Sequence, residues 1–358
     1  MIVDKVLAVF KKVYRAGEGL KALLFGWIEG IKEAKAPTYY PDYPRKTFIE
    51  RYWDQLKWIF SRREVNHLYC LYGLDVKGMN DPKDYVDYMR FAHERDDGNY
   101  LGGKTSQIVM LRDKLLFSYF ADACSIPVPE TFAAIDNGSL LVDGKYDSDW
   151  SKIENETDYF CKAVNGECAS FVKHIADYED LCTYRQTLNN GVYILQRRVQ
   201  QHEIMQQFNP YAINTIRIVT AKKGSEVYVF SAVLRLGTEA TGYVDNFKQG
   251  GLAVGIKEDG TLKKYGYYKP GYSKNPKTDR HPDSNILFEG FQIPYYSEVV
   301  ELVIRAHGHL NHVQTIGWDV AISPEGPVIV EGNDNWAINL MQGCNGGLRK
   351  EWQKLQSK

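Results

Sequence analysis

The stretch Gly317-Trp318-Asp319-Val320-Ala321-Ile322-Ser323-Pro324-Glu325-Gly326-Pro327-Val328-Ile329-Val330-Glu331-Gly332-Asn333 decides the reading of this chain. Two apolar, strand-like runs flank Ser323-Pro324-Glu325-Gly326, a cluster with strong turn chemistry. Folding back about that turn brings Asp319 roughly opposite Glu331. Side chains alternate along a strand, so Glu331 and Asn333 share a face. Two carboxylates and an amide oxygen then converge at one strand end, a hard-oxygen set of the kind magnesium takes beside nucleotide phosphates. The competing reading is a pair of solvated charges on an exposed hairpin, and the remaining sequence must decide between them.

Other segments carry chemistry in a matching order. Asp113-Lys114-Leu115-Leu116-Phe117 opens a helix that ends before Ile126-Pro127-Val128-Pro129, with apolar positions 115, 116, 119, 120 and 123 at helical spacing and Lys114 off that face. Tyr159-Phe160-Cys161-Lys162-Ala163 reads as a strand delivering Lys162 to a loop around Gly166, before Phe171-Val172 resumes a strand. Tyr193-Ile194-Leu195-Gln196-Arg197-Arg198-Val199 is a strand running into a polar hinge. Along Thr215–Thr220, Ile216 and Ile218 share a face opposite Arg217, whose planar donor fork suits a carboxylate or phosphate. A structural ion pair at a sheet edge is the alternative role for Arg217. Arg235 stands on the next strand, Tyr228–Arg235.

With these residues in view, the chain resembles the ATP-grasp superfamily, in which an acid on one strand precedes a Glu-x-Asn on the next. Here those are Asp319 and Glu331-Gly332-Asn333. The resemblance narrows to the sugar-transfer-associated ATP-grasp branch through Asn214-Thr215-Ile216-Arg217-Ile218-Val219-Thr220, Val244-Asp245-Asn246-Phe247 with Gly250-Gly251, His281-Pro282-Asp283 and Glu331-Gly332-Asn333-Asp334-Asn335-Trp336. It implies an α+β ATP-grasp fold, two α+β subdomains gripping ATP between them, with a helical N-terminal extension. The expected division is residues 1–100 as the helical region, 101–195 including a lid-like subdomain, and 196–358 carrying the metal site.

The resemblance also implies roles. Lys114 and Lys162 would bind ATP phosphates, with backbone N–H groups of the loop beyond Lys162 as a cradle. Ala163 and Cys168-Ala169 depart from the family's usual proline and glycines there. The hinge from Gln196 through Arg197, Arg198 and Val199 would read adenine with its backbone, and Glu203 or its neighbour His202 would hold the ribose. Asp319, Glu331 and Asn333 would hold Mg2+, and Arg217 would stabilise the transferring group. Arg235, Asn246, Gly250, Gly251 and His281 are candidate substrate contacts. The glycines serve equally as a tight hairpin, and a lone loop histidine is commonly inert.

The activity implied is an ATP-dependent carboxylate–amine ligase, forming an amide through an acyl phosphate in surface polysaccharide or glycoconjugate biosynthesis. Its substrates would be a small-molecule carboxylate and an amine, sugar-linked in one version. A kinase acting on a hydroxyl and a nucleotide-binding protein without turnover are the alternatives.

Whole-chain properties fit a globular enzyme. A net charge of -1 argues against a nucleic-acid partner, which calls for a basic field. The six cysteines show no CxxC pair, as in a reduced, cytoplasmic setting. The longest early apolar run, Ala22–Ile28, is too short to span a bilayer. Residues 2–33 read as an amphipathic helix with Val3, Val6, Leu7, Phe10, Val13 and Tyr14 on one face and lysines 5, 11, 12 and 21 with Arg15 elsewhere. Such a helix either rests on the inner membrane face or packs on its own protein or a second subunit.

Overall fold

A computed structural model describes residues 2–100, 106–166, 172–242, 247, 250–273 and 275–357, with side chains from residue 13 onward. The helices are α1 (Ile2–Lys35), α2 (Phe48–Arg62), α3 (Tyr88–Tyr100), α4 (Ser106–Arg112), α5 (Lys114–Ala123), α6 (Tyr178–Arg185), α7 (Glu203–Gln206), α8 (Tyr296–Gly308), α9 (Ile338–Asn345) and α10 (Arg349–Gln356). Two compact units divide the chain. One comprises Met1–Glu94, Tyr267–Thr278 and Ala337–Lys358, the other Arg95–Gly266 and Asp279–Trp336.

The first unit is helical at its start. A capping box begins α2: Thr47 accepts from the Glu50 N–H, and Glu50 accepts from the Thr47 N–H, satisfying donors that the first turn leaves open. Its interior is aromatic, with Tyr72 stacked on Tyr85 at 4.4 Å and Phe91 against Trp352 at 4.7 Å. The polar run Glu94–Asn99 is helical within α3, and the two units divide inside it, between Glu94 and Arg95.

The second unit contains two antiparallel sheets. The smaller is built from β1 (Thr131–Asp136), β2 (Ser139–Val142), β3 (Lys145–Asp147), β4 (Tyr159–Ala163), β5 (Val172–Ile175) and β6 (Val192–Arg197), in the order β3-β2-β1-β6-β4-β5. Ile135, Leu140, Tyr159, Ile175, Leu181 and Leu195 form its core, which α6 closes through Leu181.

The larger sheet uses β7 (Thr215–Lys223), β8 (Glu226–Leu236), β9 (Leu252–Ile256), β10 (Leu262–Tyr268), β12 (Thr315–Ser323) and β13 (Gly326–Asn333), while the short strand β11 (Lys277–Thr278) belongs to the first unit. Within the second unit the order is β10-β9-β8-β7-β12-β13. All nine residues of β12 are buried, and between its polar ends, Thr315 and Ser323, Asp319 is the one polar side chain. Helix α8 covers one side with Val299, Leu302 and Val303. Thr220 Oγ1 accepts from the Trp318 indole N–H (2.8 Å) and bonds His307 Nδ1 (2.7 Å), locking strand to helix. Glycine is required at two points of the hairpin. A Cβ on Gly317 would stand 2.7 Å from Trp336 Cβ, and one on Gly332 2.7 Å from Leu111 Cδ2.

One expectation is corrected. Helix α5 buries Phe117 and Ala121, while Leu116 and Tyr119 are exposed. Asp113 caps the helix by accepting from the Leu115 and Leu116 N–H groups, and the core-facing line therefore runs 113–117–121. Of the apolar positions 115, 116, 119, 120 and 123, Leu115 packs against Ala134, Val164 and Ile194, while Leu116, Tyr119 and Ala123 are exposed.

Candidate active site

The hairpin brings Asp319 into register with Glu331, and Gly317 with Asn333. An irregularity follows between Asp319 and Val320, a device that re-aims side chains at the end of a ladder. On its other side β12 pairs with β7, with Asp319 opposite Arg217. Strand β8 pairs next and sets Arg235 opposite Thr215. Three strands thus place two guanidiniums on one carboxylate.

Asp319 is only 4% exposed. Arg217 chelates it, Nε to Oδ1 and Nη2 to Oδ2 at 2.7 Å, and Arg235 Nη1 adds a bond to Oδ2 at 3.0 Å. Burial by itself would raise this carboxyl's pKa. The two arginines outweigh burial and hold it well below the usual carboxylate range. Glu331 behaves oppositely. Burial, then the charge of Asp319 and a hydrogen bond with it, push its pKa up, against the opposing pull of Lys114 and Arg217. Asn333 Nδ2 donates to Glu331 Oε1 at 3.1 Å.

The lysines approach from the smaller sheet and from α5. Lys162 Nζ donates to Gln196 Oε1 at 2.7 Å, and Gln196 Nε2 donates to the Pro129 carbonyl at 3.2 Å. Lys162 is lowered to about 8, first by burial, with Glu331 opposing the shift and Lys114 adding to it. These mutual effects link Lys162, Lys114 and Glu331 electrostatically. Lys114 begins α5, its N–H bonded to the Val164 carbonyl and its Nζ to the Gly166 carbonyl at 2.7 Å. Helix start and loop start are thereby tied together. Cys168 and Ala169 lie outside the described residues.

At the hinge, Gln196 is buried. The exposed Arg197 side chain bonds Glu130 and Glu156, and its N–H donates to the Glu130 carbonyl. Arg198 lies 3.4 Å from Asp158. Both basic side chains are therefore turned onto acids, and any backbone reading of a ligand here would fall to carbonyls and to the Val199 N–H. Glu203 is exposed in the first turn of α7, whose N-cap is His202.

His281 departs from the expected substrate contact. It is fully buried, Nε2 bonds the Gly237 carbonyl at 2.9 Å, and Nδ1 accepts from the Asp283 and Ser284 N–H groups. Burial lowers its pKa, and the neutral ring pins the loop. Gly250 (φ +113°) and Gly251 are buried, and Asn246 lies outside the described residues. Among the described residues no hydrogen bond or ion pair joins Glu203, Gly250, Gly251 or His281 to the Asp319 cluster.

A supporting layer escapes sequence reading. Asn99 is fully buried and uses its whole amide: Nδ2 donates to the carbonyls of Thr315 (3.2 Å) and Asp334 (3.0 Å), and Oδ1 accepts from the N–H groups of Gln314 and Thr315 at 3.0 Å. Asp334, next to Asn333, is bonded by Arg112 through Nε (3.0 Å) and Nη2 (2.8 Å), and by Tyr100. The two open ends of the hairpin are thus fixed to α3 and α4. The only sequence signal was the adjacency of Asp334 to Asn333.

Among the described residues no three His, Cys, Asp or Glu side chains gather as metal ligands. The oxygen set is two carboxylates and one amide, which is what magnesium commonly requires of a protein. The hydrogen-bonded Asp319–Glu331 pair, with Glu331 raised, is a concentration of negative charge that a cation would relieve. Since arginines occupy both oxygens of Asp319, Glu331 and Asn333 are the more available donors. The set fits magnesium.

Residues 180–357 match the family model for sugar-transfer associated ATP-grasp proteins. Solved structures that the chain resembles include an L-amino acid ligase from Bacillus licheniformis, at 11% identity and TM-score 0.40, covering 64% of this chain and 41% of that one. An N5-carboxyaminoimidazole ribonucleotide synthetase from Thermotoga maritima aligns at 12% identity and TM-score 0.35, over 64% and 43%. A D-alanine–D-alanine ligase from Helicobacter pylori aligns at 12% identity and TM-score 0.44, over 70% and 61%. The chain spans less than half the length of the first two of these proteins. No curated protein matches it.

Proposed function

From membership of residues 180–357 in the sugar-transfer associated ATP-grasp family, we propose that this protein is an ATP-dependent carboxylate–amine ligase acting on small molecules of glycan or glycoconjugate assembly. The observation that carries the proposal is the convergence on Asp319 and Glu331 of two arginines from β7 and β8 and two lysines from β4 and α5. Four cations around a buried carboxylate pair make a site for polyanions.

In the proposed reaction a carboxylate oxygen attacks the γ-phosphorus of ATP, the bond to the β-phosphate oxygen breaks, and ADP leaves. The amine nitrogen then attacks the acyl phosphate carbonyl, phosphate departs, and the nitrogen loses its proton. Lys162, protonated at neutral pH with a pKa of about 8, donates to phosphate oxygens while Gln196 holds its Nζ in place. Lys114 donates from the helix start. Arg217 and Arg235, held by Asp319, bring positive charge to where negative charge accumulates on the transferring group, and Arg235 suits the acceptor carboxylate. Magnesium, held by Glu331, Asn333 and Asp319, would supply neutralisation of the phosphate charge. Positioning and electrostatics do most of the work in phosphoryl transfer, which explains the absence of any need for a nucleophilic side chain.

The test is magnesium-dependent ADP release over pooled carboxylates, uronic acids and sugars, with and without pooled amines, alongside Glu331→Ala. Turnover that requires both a carboxylate and an amine and disappears in the variant supports the ligase. Turnover with a hydroxyl compound alone makes the protein a kinase. No turnover over all pools, with ADP still bound, leaves a binding protein.

A further inference from the structure

Helix α1 is assembled inside out for a helix that packs on its own protein. At about 100° per residue, its residues from 13 onward divide into two faces. One carries Gly19, Gly26 and Gly30, and this face meets α2 and the residues after it: a Cβ on Gly19 would lie 3.2 Å from Arg63 Cβ, on Gly26 3.1 Å from Val65 Cγ2, and on Gly30 3.4 Å from Gln55 Cβ. Small residues thus bring the two helices close together. The large apolar side chains Val13, Leu20, Leu24, Phe25, Trp27 and Ile28 lie in an opposite arc of roughly 160° and are 48% to 65% exposed. The Trp27 indole N–H donates to the Leu24 carbonyl at 2.9 Å, so the ring presents no unmet donor.

Charge follows the same division. Lys21, Lys32 and Lys35 fall within the apolar arc, which holds no acidic residue between 13 and 35, and all three are exposed. The helix's acids lie outside the arc and have partners on their own unit: Glu18 with His93 at 3.7 Å, and Glu29 and Glu33 with His67 at 3.6 and 3.0 Å. None of the three lysines is in an ion pair among the described residues. The arc is therefore apolar and cationic on a chain whose net charge is -1.

We propose that α1 is an interfacial helix that docks this protein on an anionic lipid surface, its apolar arc among the acyl chains and its lysines at the headgroups. No described helix is long and apolar enough to cross a membrane, so contact is along the surface. A second copy of the chain is the rival occupant. Isologous pairing through this arc would set lysines against lysines without an acid to answer them, whereas phosphate headgroups supply the missing charge.

Flotation of the full chain with phosphatidylcholine vesicles, with and without phosphatidylglycerol, tests the proposal. The protein floats with the anionic vesicles, and added salt reduces this binding. The triple change Lys21→Glu, Lys32→Glu, Lys35→Glu lowers partitioning about a hundredfold or more. Leu24→Glu with Phe25→Glu abolishes it, and circular dichroism confirms that both variants remain folded, since the altered side chains are exposed. Absence of binding to anionic vesicles, or equal binding to both vesicle types, overturns the proposal. A concentration-dependent dimer in sedimentation, lost in the Leu24→Glu, Phe25→Glu variant while vesicles stay unbound, assigns the face to a second copy instead.

Discussion

Asp319 and Glu331 stand opposite each other on β12 and β13, yet neutralising them shifts stability in opposite directions. Asp319→Asn keeps the shape and removes the charge that answers Arg217 and Arg235, whose side chains are only 17% and 14% exposed. Breaking a buried pair costs about 3–5 kcal/mol, and residual water at the guanidiniums puts this case near the lower end. Glu331→Gln instead removes a like charge beside Asp319. At about 4 Å and an effective dielectric near 20, two carboxylates repel by about 4 kcal/mol, most of it offset by Lys114, Lys162 and Arg217. The variant should gain on the order of 1 kcal/mol. The pH dependence separates the two. Because Glu331 is raised in the folded state, wild type loses stability relative to Glu331→Gln as pH rises through the ordinary carboxylate value and up to the folded one. Below that window the two proteins converge. Asp319 is depressed, so its own contribution is fully present above the ordinary carboxylate value, and the cost of Asp319→Asn persists between about pH 5 and pH 8, lessened only as wild-type Glu331 ionises beside it. Urea unfolding followed by tryptophan fluorescence at several pH values measures both. If Asp319→Asn costs less than about 0.5 kcal/mol, or Glu331→Gln costs as much as Asp319→Asn, the charge assignment of the site is wrong.

Three further outcomes are expected. ADP affinity measured by calorimetry should weaken as pH rises through about 8, where Lys162 loses its proton, and Lys162→Arg should remove that dependence because arginine stays charged. Asn99→Ala strands the buried carbonyls of Thr315 and Asp334 and the N–H groups of Gln314 and Thr315, and should lower unfolding stability by at least about 4 kcal/mol, at about 1–3 kcal/mol for each of the four groups. Arg197→Ala removes surface ion pairs to Glu130 and Glu156 and a cation–π contact with Phe132, so stability should fall by no more than about 2 kcal/mol and ADP affinity change by less than about threefold, since the hinge reading rests on backbone.

The hairpin was legible because each of its parts is local. The turn at Pro324-Glu325 and the Glu-x-Asn spacing bring Asp319 and Glu331 to the same end of the hairpin, and the irregularity between Asp319 and Val320 shifts the pairing by one residue to set them directly opposite. Lys162 on a strand, Gln196 at the end of another and Asp113 at a helix start are likewise short-range signals, and each holds. What could not be read depends on pairings between distant segments. Nothing in the run Thr215–Thr220 says that β12 and β8 flank it, so an ion pair of Arg217 could be read only without its partner, and the joint hold of Arg217 and Arg235 on Asp319 could not be read. The Asn99 brace joins residues more than two hundred positions apart. His281 read as a loop residue because sequence shows neither its burial nor the Gly237 carbonyl waiting for it. In α1 the stripe was plain, but only the structure shows that its glycine face packs on α2, with the arc touching α2 where Lys35 Nζ lies 6.0 Å from the Phe48 ring.

The most direct test of the proposed chemistry uses hydroxylamine as a universal amine. With ATP, magnesium and pooled carboxylates, an acyl phosphate would be captured as a hydroxamate, in step with ADP release and only with Glu331 intact. ADP release accompanied by a stable phosphate ester on a hydroxyl compound, and no hydroxamate from any pool, would contradict the ligase and leave phosphoryl transfer as the reaction of this site.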